Sequence, residues 1–194
     1  MKTLDKERLL QEVRDKGVEI DNIYDLMKID HKYKDLIPIL LKHLKATDDE
    51  DEKDFIVRCL CVKGFTEASK PLIHAFYQAK NPSYKWSIGN TLSEIRDKDV
   101  LPDLLTIVQE KEHGSARQMI VDGLGSFKND ENVKKVLVKL LDDDNVAGQA
   151  VSAIRRIGDP KLAVHIEPFL NHEKTWIRNE AKKAIEKFNK IKNA

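Results

Sequence analysis

The feature that most restricts this chain is a hydrophobic pattern that returns about every 31 residues. Leu60, Leu92, Leu124, Ile154 and Ile185 are separated by 32, 32, 30 and 31 positions. Four positions before each stand Ile56, Ile88, Ile120, Ala150 and Ala181. One position before each stand Cys59, Thr91, Gly123, Ala153 and Ala184, all small. Three columns thus keep one register through five units. A second lattice precedes the first: Leu40, Leu72, Leu104, Val136 and Ile166, each followed four residues on by Leu44, Phe76, Val108, Leu140 and Leu170. Spacing of i and i+4 is helical, whereas a strand would alternate in twos. Each unit therefore reads as two amphipathic helices joined by a polar turn. One such pair cannot bury both of its faces, so pairs must stack.

The punctuation agrees. Pro38, Pro71 and Pro102 fall in the first turn of the first segment, where proline's missing N–H costs nothing. Pro168 falls inside the last first-segment and predicts a kink or a late helix start. Polar runs at 47–54, 80–83, 111–115, 142–145 and 171–175 separate the segments, with Asn81, Ser115 and Asn145 as expected N-caps. Asp142, Asp143 and Asp144 suit the positive end of a helix, and the ligand spacing of a calcium loop is absent. Residues 1–34 leave the lattice. They predict two capping helices, one through Leu4, Leu9, Leu10 and Val13, the other through Ile20, Ile23, Leu26 and Met27. The reading is one continuous domain: a cap over 1–34 and a repeat array over 35–194, closed by a basic outer side at Lys182, Lys183, Lys187, Lys190 and Lys192.

Composition narrows the function classes. The 194 residues carry 34 Lys+Arg against 33 Asp+Glu, a formal balance of +1. That argues against holding nucleic acid by bulk charge, though not against a local basic strip. No run approaches 18 apolar residues, and the charged N-terminus is unlike a signal peptide. With Cys59 and Cys61 as the only cysteines, badly placed for a disulfide, a cytoplasmic setting is expected. The six histidines do not cluster in the lattice, and no Ser–His–Asp set, Cys–His pair or phosphate loop recurs on one face. The expectation is a protein that is not an enzyme, with no catalytic residues, no metal and no cofactor.

The segment W-I-R-N-E-A-K-K-A-I at 176–185 resembles the VRxxAxxAL signature of HEAT repeats, in the short bilin-lyase-like form common in bacteria. I-G-D-P-K-L-A-V at 157–164 looks like the turn that opens a next unit. The signature arginine is matched by Arg178 and Arg117 and approximated by Lys85 and Lys53, while Ala147 departs from it. The resemblance covers about residues 35–190. It implies an all-α, right-handed α-solenoid of about five HEAT-like hairpins with an N-terminal helical cap.

Such solenoids line their concave side with the second helices. Transferred to this chain, that wall holds Arg58, Trp86, Asn90, Arg117, Gln118, Asp122, Ser152 and Arg155 as partner-binding residues. Gly89, Gly125 and Gly148 fall inside second helices, where glycine costs about 1 kcal/mol against alanine. They serve either close helix packing or the opening of a groove. Trp86 reads equally as core or as a semi-exposed anchor, and Trp176 as packing. The expected function is a non-catalytic scaffold or adaptor holding a protein partner, with no membrane association. The alternative is a nucleic-acid binder related to the HEAT-like alkylpurine DNA glycosylases, which place an aromatic and an aspartate one turn apart in a basic groove. Here Trp86 is followed by Asn90, and Asp122 is preceded by Gln118, so that pairing is broken across two repeats. The HEAT-like iron hydroxylases need repeated His-Glu pairs, and His172-Glu173 stands alone.

Overall fold

A computed structural model describes residues 2–193, and among them every regular element is helical. The chain divides into two compact units, Met1–Leu101 and Pro102–Ala194.

In the first unit, α1 (Lys6–Arg14) leads into two hairpins: α2 (Ile37–Ala46) with α3 (Glu50–Cys59), then α4 (Ser69–Gln78) with α5 (Pro82–Ile95). The sequence marks each start. Asp49 accepts from the amides of Asp51 and Glu52 at 3.0 Å, and the acidic first turn of α3 faces the positive end of its own dipole. Asn81 accepts from the Ser83 amide at 2.8 Å, with Pro82 at the first helical position of α5. Short 3₁₀ turns, Lys34–Leu36 and Thr66–Ala68, lead into α2 and α4.

Only half of the expected cap is a regular α-helix. Leu9 and Val13 of α1 are buried as the pattern requires. The second capping helix is instead a 3₁₀ stretch, Ile23–Lys28, with Met27 49% exposed. A capping box fixes its start after Ile20: the Asp25 carboxylate accepts from the Asp21 and Asn22 amides while the Asn22 side chain accepts from the Tyr24 amide.

The second unit begins one residue into α6 (Leu101–Ile107) and holds α7 (Gln118–Leu124), α8 (Glu131–Leu140), α9 (Ala147–Ile157), α10 (Ala163–Ile166) and α11 (Thr175–Lys192). Pro168 breaks the last first-segment as expected: α10 stops at Ile166 and a 3₁₀ turn, Glu167–Asn171, follows. Ser115 and Asn145 do not cap α-helices. Ser115 lies inside the 3₁₀ segment Lys111–Arg117, and Asn145 instead gives its own amide to Asp143 at 3.1 Å. Asp130 caps α8, accepting from Asn132 and Val133. α9 closes on Gly158 at φ +77, a left-handed turn that glycine adopts without strain. The Lys187 ammonium also caps that end, donating to the carbonyls of Arg155 and Arg156 at 2.9 and 3.1 Å.

The repeat columns form the cores. Leu60, Leu92, Leu124 and Ile154 are buried, as are the small residues one position earlier. Ile185 is only half-buried, because in α11 the inward positions are taken by Ala184 and Phe188. Leu40, Leu72, Leu104, Val136 and Ile166 of the other lattice are all buried. Burying each leucine or isoleucine contributes about 1.5–3 kcal/mol. The small column explains the stacking. With Cys59 and Thr91 at the contact, α3 lies against α5, and the Thr91 hydroxyl donates to the Val57 carbonyl at 3.2 Å. With Gly123, Ala153 and Ala184 at theirs, α7 lies against α9 and α9 against α11.

Candidate partner-binding face

In the second unit a groove of about 440 Å³ runs over α7, α9 and α11. Asp122 of α7, Ser152 and Arg155 of α9 line it, so three of the expected wall residues lie together. Met119, Trp176 and Lys183 supply apolar and cationic groups that sequence reasoning did not assign to this face. Trp176 was expected to pack. It does so with one edge while the residue remains 47% exposed.

The charges along the groove are paired across helices. Asp122 accepts from Arg156 Nη2 at 2.5 Å, and its backbone carbonyl accepts from Arg156 Nη1 at 3.1 Å. Arg155 Nε donates to Glu180 at 2.6 Å, and the other oxygen of Glu180 takes Lys183 Nζ at 2.9 Å. Burial works against the Glu180 carboxylate. The hydrogen bonds from Lys183 and Arg155 outweigh it and hold the group below its ordinary range. Gln118 Nε2 donates to the Asn145 carbonyl at 3.0 Å, which places it at the edge of the face.

Arg117 is a correction. It was expected on the binding surface, yet it is 0% exposed. Its Nη2 donates to Asp143 at 2.8 Å, its Nη1 to the Val108 carbonyl at 2.8 Å and its Nε to the Gly114 carbonyl at 2.9 Å. The guanidinium is therefore spent inside the protein, where a buried charge must be paired. A signal was present. Arg178, the other signature arginine, donates to the carbonyls of His172 and Glu173 in the turn before its own helix. In both of these repeats, each within the second unit, the arginine ties down the turn that precedes its helix.

The glycine question resolves towards packing at two positions. A Cβ on Gly148 would strike the Trp176 ring and come within 2.9 Å of Ile177 Cδ1. A Cβ on Gly125 would lie 2.9 Å from the Ala153 backbone. Each glycine admits a neighbour rather than a ligand.

In the first unit, the expected residues lie on α3 and α5. Arg58 is exposed and donates to Asp54 at 2.6 Å, one turn back. Trp86 is 38% exposed, and Asn90, one turn on, is half-buried with its amide 3.6 Å from the Cys61 sulfur.

Potential metal ligands come together at one place. Ligand atoms of Glu110, Glu112 and His113 lie within 4.8 Å of one another, and His113 is 3.0 Å from Glu110. The sequence reading did not see this group, because it depends on where the extended N-cap Glu110 meets the first turn of the 3₁₀ segment. Among the described residues, no helix is long and apolar enough to cross a membrane.

Comparison with known proteins agrees with the repeat. No curated protein matches the chain. A family model described as HEAT repeats matches residues 102–186, a span that takes in α7, α8, α9 and the groove-lining part of α11. Residues 102–186 match the HEAT-repeat model, and the groove lies within that span.

Proposed function

We propose that the protein is a non-catalytic scaffold and that the groove over α7, α9 and α11 holds an extended segment of a partner protein. HEAT repeats generally mediate interactions between proteins. The observation that carries the reading is Trp176: a large aromatic, 47% exposed, beside a groove whose charged side chains are already held in place by ion pairs. An exposed aromatic next to ordered polar groups is the composition enriched at binding hot spots. Because the side chains are already ordered, little conformational entropy is lost on association. Met119 and Trp176 offer apolar area, while Ser152 and Asn179 offer hydrogen bonds to a peptide backbone. Arg58, Trp86 and Asn90 of the first unit we assign to contacts with the same class of partner.

Selection from a displayed peptide library tests this. Peptides should be enriched whose binding is lost in Trp176→Ala and in Ser152→Arg while helical content is retained. Selected peptides indifferent to both changes would place the binding face elsewhere. Retention of duplex DNA with a steep salt dependence, and no peptide selection, would favour the nucleic-acid alternative.

A further inference from the structure

The first unit contains a cleft that the partner-binding reading does not use. It has a volume of about 480 Å³, within the range of small-molecule sites. Leu41 and Leu44 of α2 and Pro71 and Ala75 of α4 form its apolar walls. Lys45, at the end of α2, and Lys53, in the first turn of α3, line it as well. We propose that this cleft binds a small monoanion with an apolar body: a carboxylate on a short aliphatic or aromatic frame.

The charge arrangement selects that class. Neither Lys45 nor Lys53 forms an ion pair among the described residues. The one carboxylate in the lining, Glu50, already accepts from the backbone amides of Lys80 and Asn81 at 2.9 and 2.7 Å, one on each oxygen. It serves to tie the turn before α5 to α3. Within the lining, two ammonium groups stand against one committed carboxylate, with Asp48 and Asp54 acting on Lys53 and Tyr84 from outside it, and the apolar walls disfavour a fully hydrated ion. A cation would meet the two lysines and find no uncommitted carboxylate in the lining.

A second observation comes from α5. Tyr84 lines the same cleft, is itself buried, and its hydroxyl has no hydrogen-bond partner among the described residues. A buried hydroxyl without an acceptor is unusual, because the group loses water and gains nothing. A carboxylate oxygen is the acceptor it lacks.

Calorimetric titration of the full chain with decanoate, below its micelle-forming concentration, tests the proposal. Decanol and decyltrimethylammonium serve as neutral and cationic controls. Decanoate should bind one-to-one, at least tenfold more tightly than decanol, with the cation weaker still. The double change Lys45→Met and Lys53→Met should weaken decanoate at least tenfold and leave decanol unchanged. Both lysines reach solvent, so helical content should survive, and circular dichroism checks it. Ala75→Phe, which fills the cleft, should remove binding of both. Equal affinity for the cation, no binding at millimolar decanoate, or decanoate binding that persists through the lysine pair and through Ala75→Phe would overturn it.

Discussion

Arg117 and Asp143 form a 2.8 Å ion pair in the interior of the second unit, the arginine wholly buried and the aspartate nearly so. Arg117 stands at the end of the turn before α7, and Asp143 in the turn between α8 and α9. The pair therefore binds one repeat's entry to the next repeat's hairpin. Burial works against the Asp143 carboxylate, but the hydrogen bonds from Arg117 and the Asn145 amide outweigh it and keep its pKa below the ordinary value. Removing one partner strands a charge. Asp143→Asn and Arg117→Met should each cost about 3–5 kcal/mol. Arg117→Met together with Asp143→Leu should cost less than either alone, since no uncompensated charge is left. Urea unfolding of the three variants measures this.

Gly148 and Trp176 give a prediction of opposite sign in two backgrounds. Glycine to alanine within a helix ordinarily stabilises by about 1 kcal/mol. At Gly148 the added methyl meets the Trp176 ring, so Gly148→Ala should destabilise by about 1–3 kcal/mol. In a Trp176→Ala background the ring is gone and only the flexible end of Ile177 stays close, so the same change should become neutral or stabilising. A double-mutant cycle on unfolding free energies reads the reversal. Two destabilising changes that simply add would show that the indole does not occupy this place.

The N-terminal helix is tied to the first hairpin by Glu12, which accepts from Lys42 at 2.5 Å and Arg8 at 3.0 Å and lies 3.2 Å from His43. The hydrogen bond from Lys42 is the largest influence, and with those of Arg8 and His43 it overcomes desolvation and lowers the Glu12 pKa from 4.5 to about 2. A folded-state pKa below the unfolded one means that the unfolded chain binds the proton more readily. The stabilisation is therefore present above about pH 4.5 and is lost as pH falls towards 2. Screening at this partly exposed site limits it to about 1 kcal/mol. Urea midpoints between pH 6 and pH 2 should fall less steeply for Glu12→Gln than for the parent. Parallel profiles would remove Glu12 from the account.

The thiols should be slow to react. Burial pushes Cys59 up to about 12, and burial likewise raises Cys61, which is half-buried. Since the thiolate is the reactive form, Cys59 should resist a disulfide reagent at pH 8 for as long as the protein stays folded. Prompt modification of Cys59 in native buffer would show that α3 opens readily.

The repeat columns were legible because helix periodicity and a fixed beat over-determine which side chains point inward. Leu60, Leu92, Leu124 and Ile154 needed no knowledge of neighbours to be placed. Arg117 was misplaced for the opposite reason. Its register alone puts it on the second-helix wall. Its long side chain instead reaches three groups, Asp143, Val108 and Gly114, whose proximity depends on the left-handed Gly114 turn. The second capping helix was misread in its start and its winding: the Asn22–Asp25 capping box delays it to Ile23, and apolar spacing does not separate 3₁₀ from α over six residues. Trp176 was read as packing because an edge contact with Gly148 and an exposed face coexist in one residue, which hydropathy cannot separate.

Site-specific photocrosslinking in cells tests the scaffold reading most directly. A photoreactive residue placed at Ser152, in the groove, is compared with one at Lys135, exposed on α8. The account predicts a discrete crosslinked protein from position 152 that Trp176→Ala abolishes, and none from position 135. Crosslinks of equal yield from both positions, or a product from position 135 alone, would contradict it.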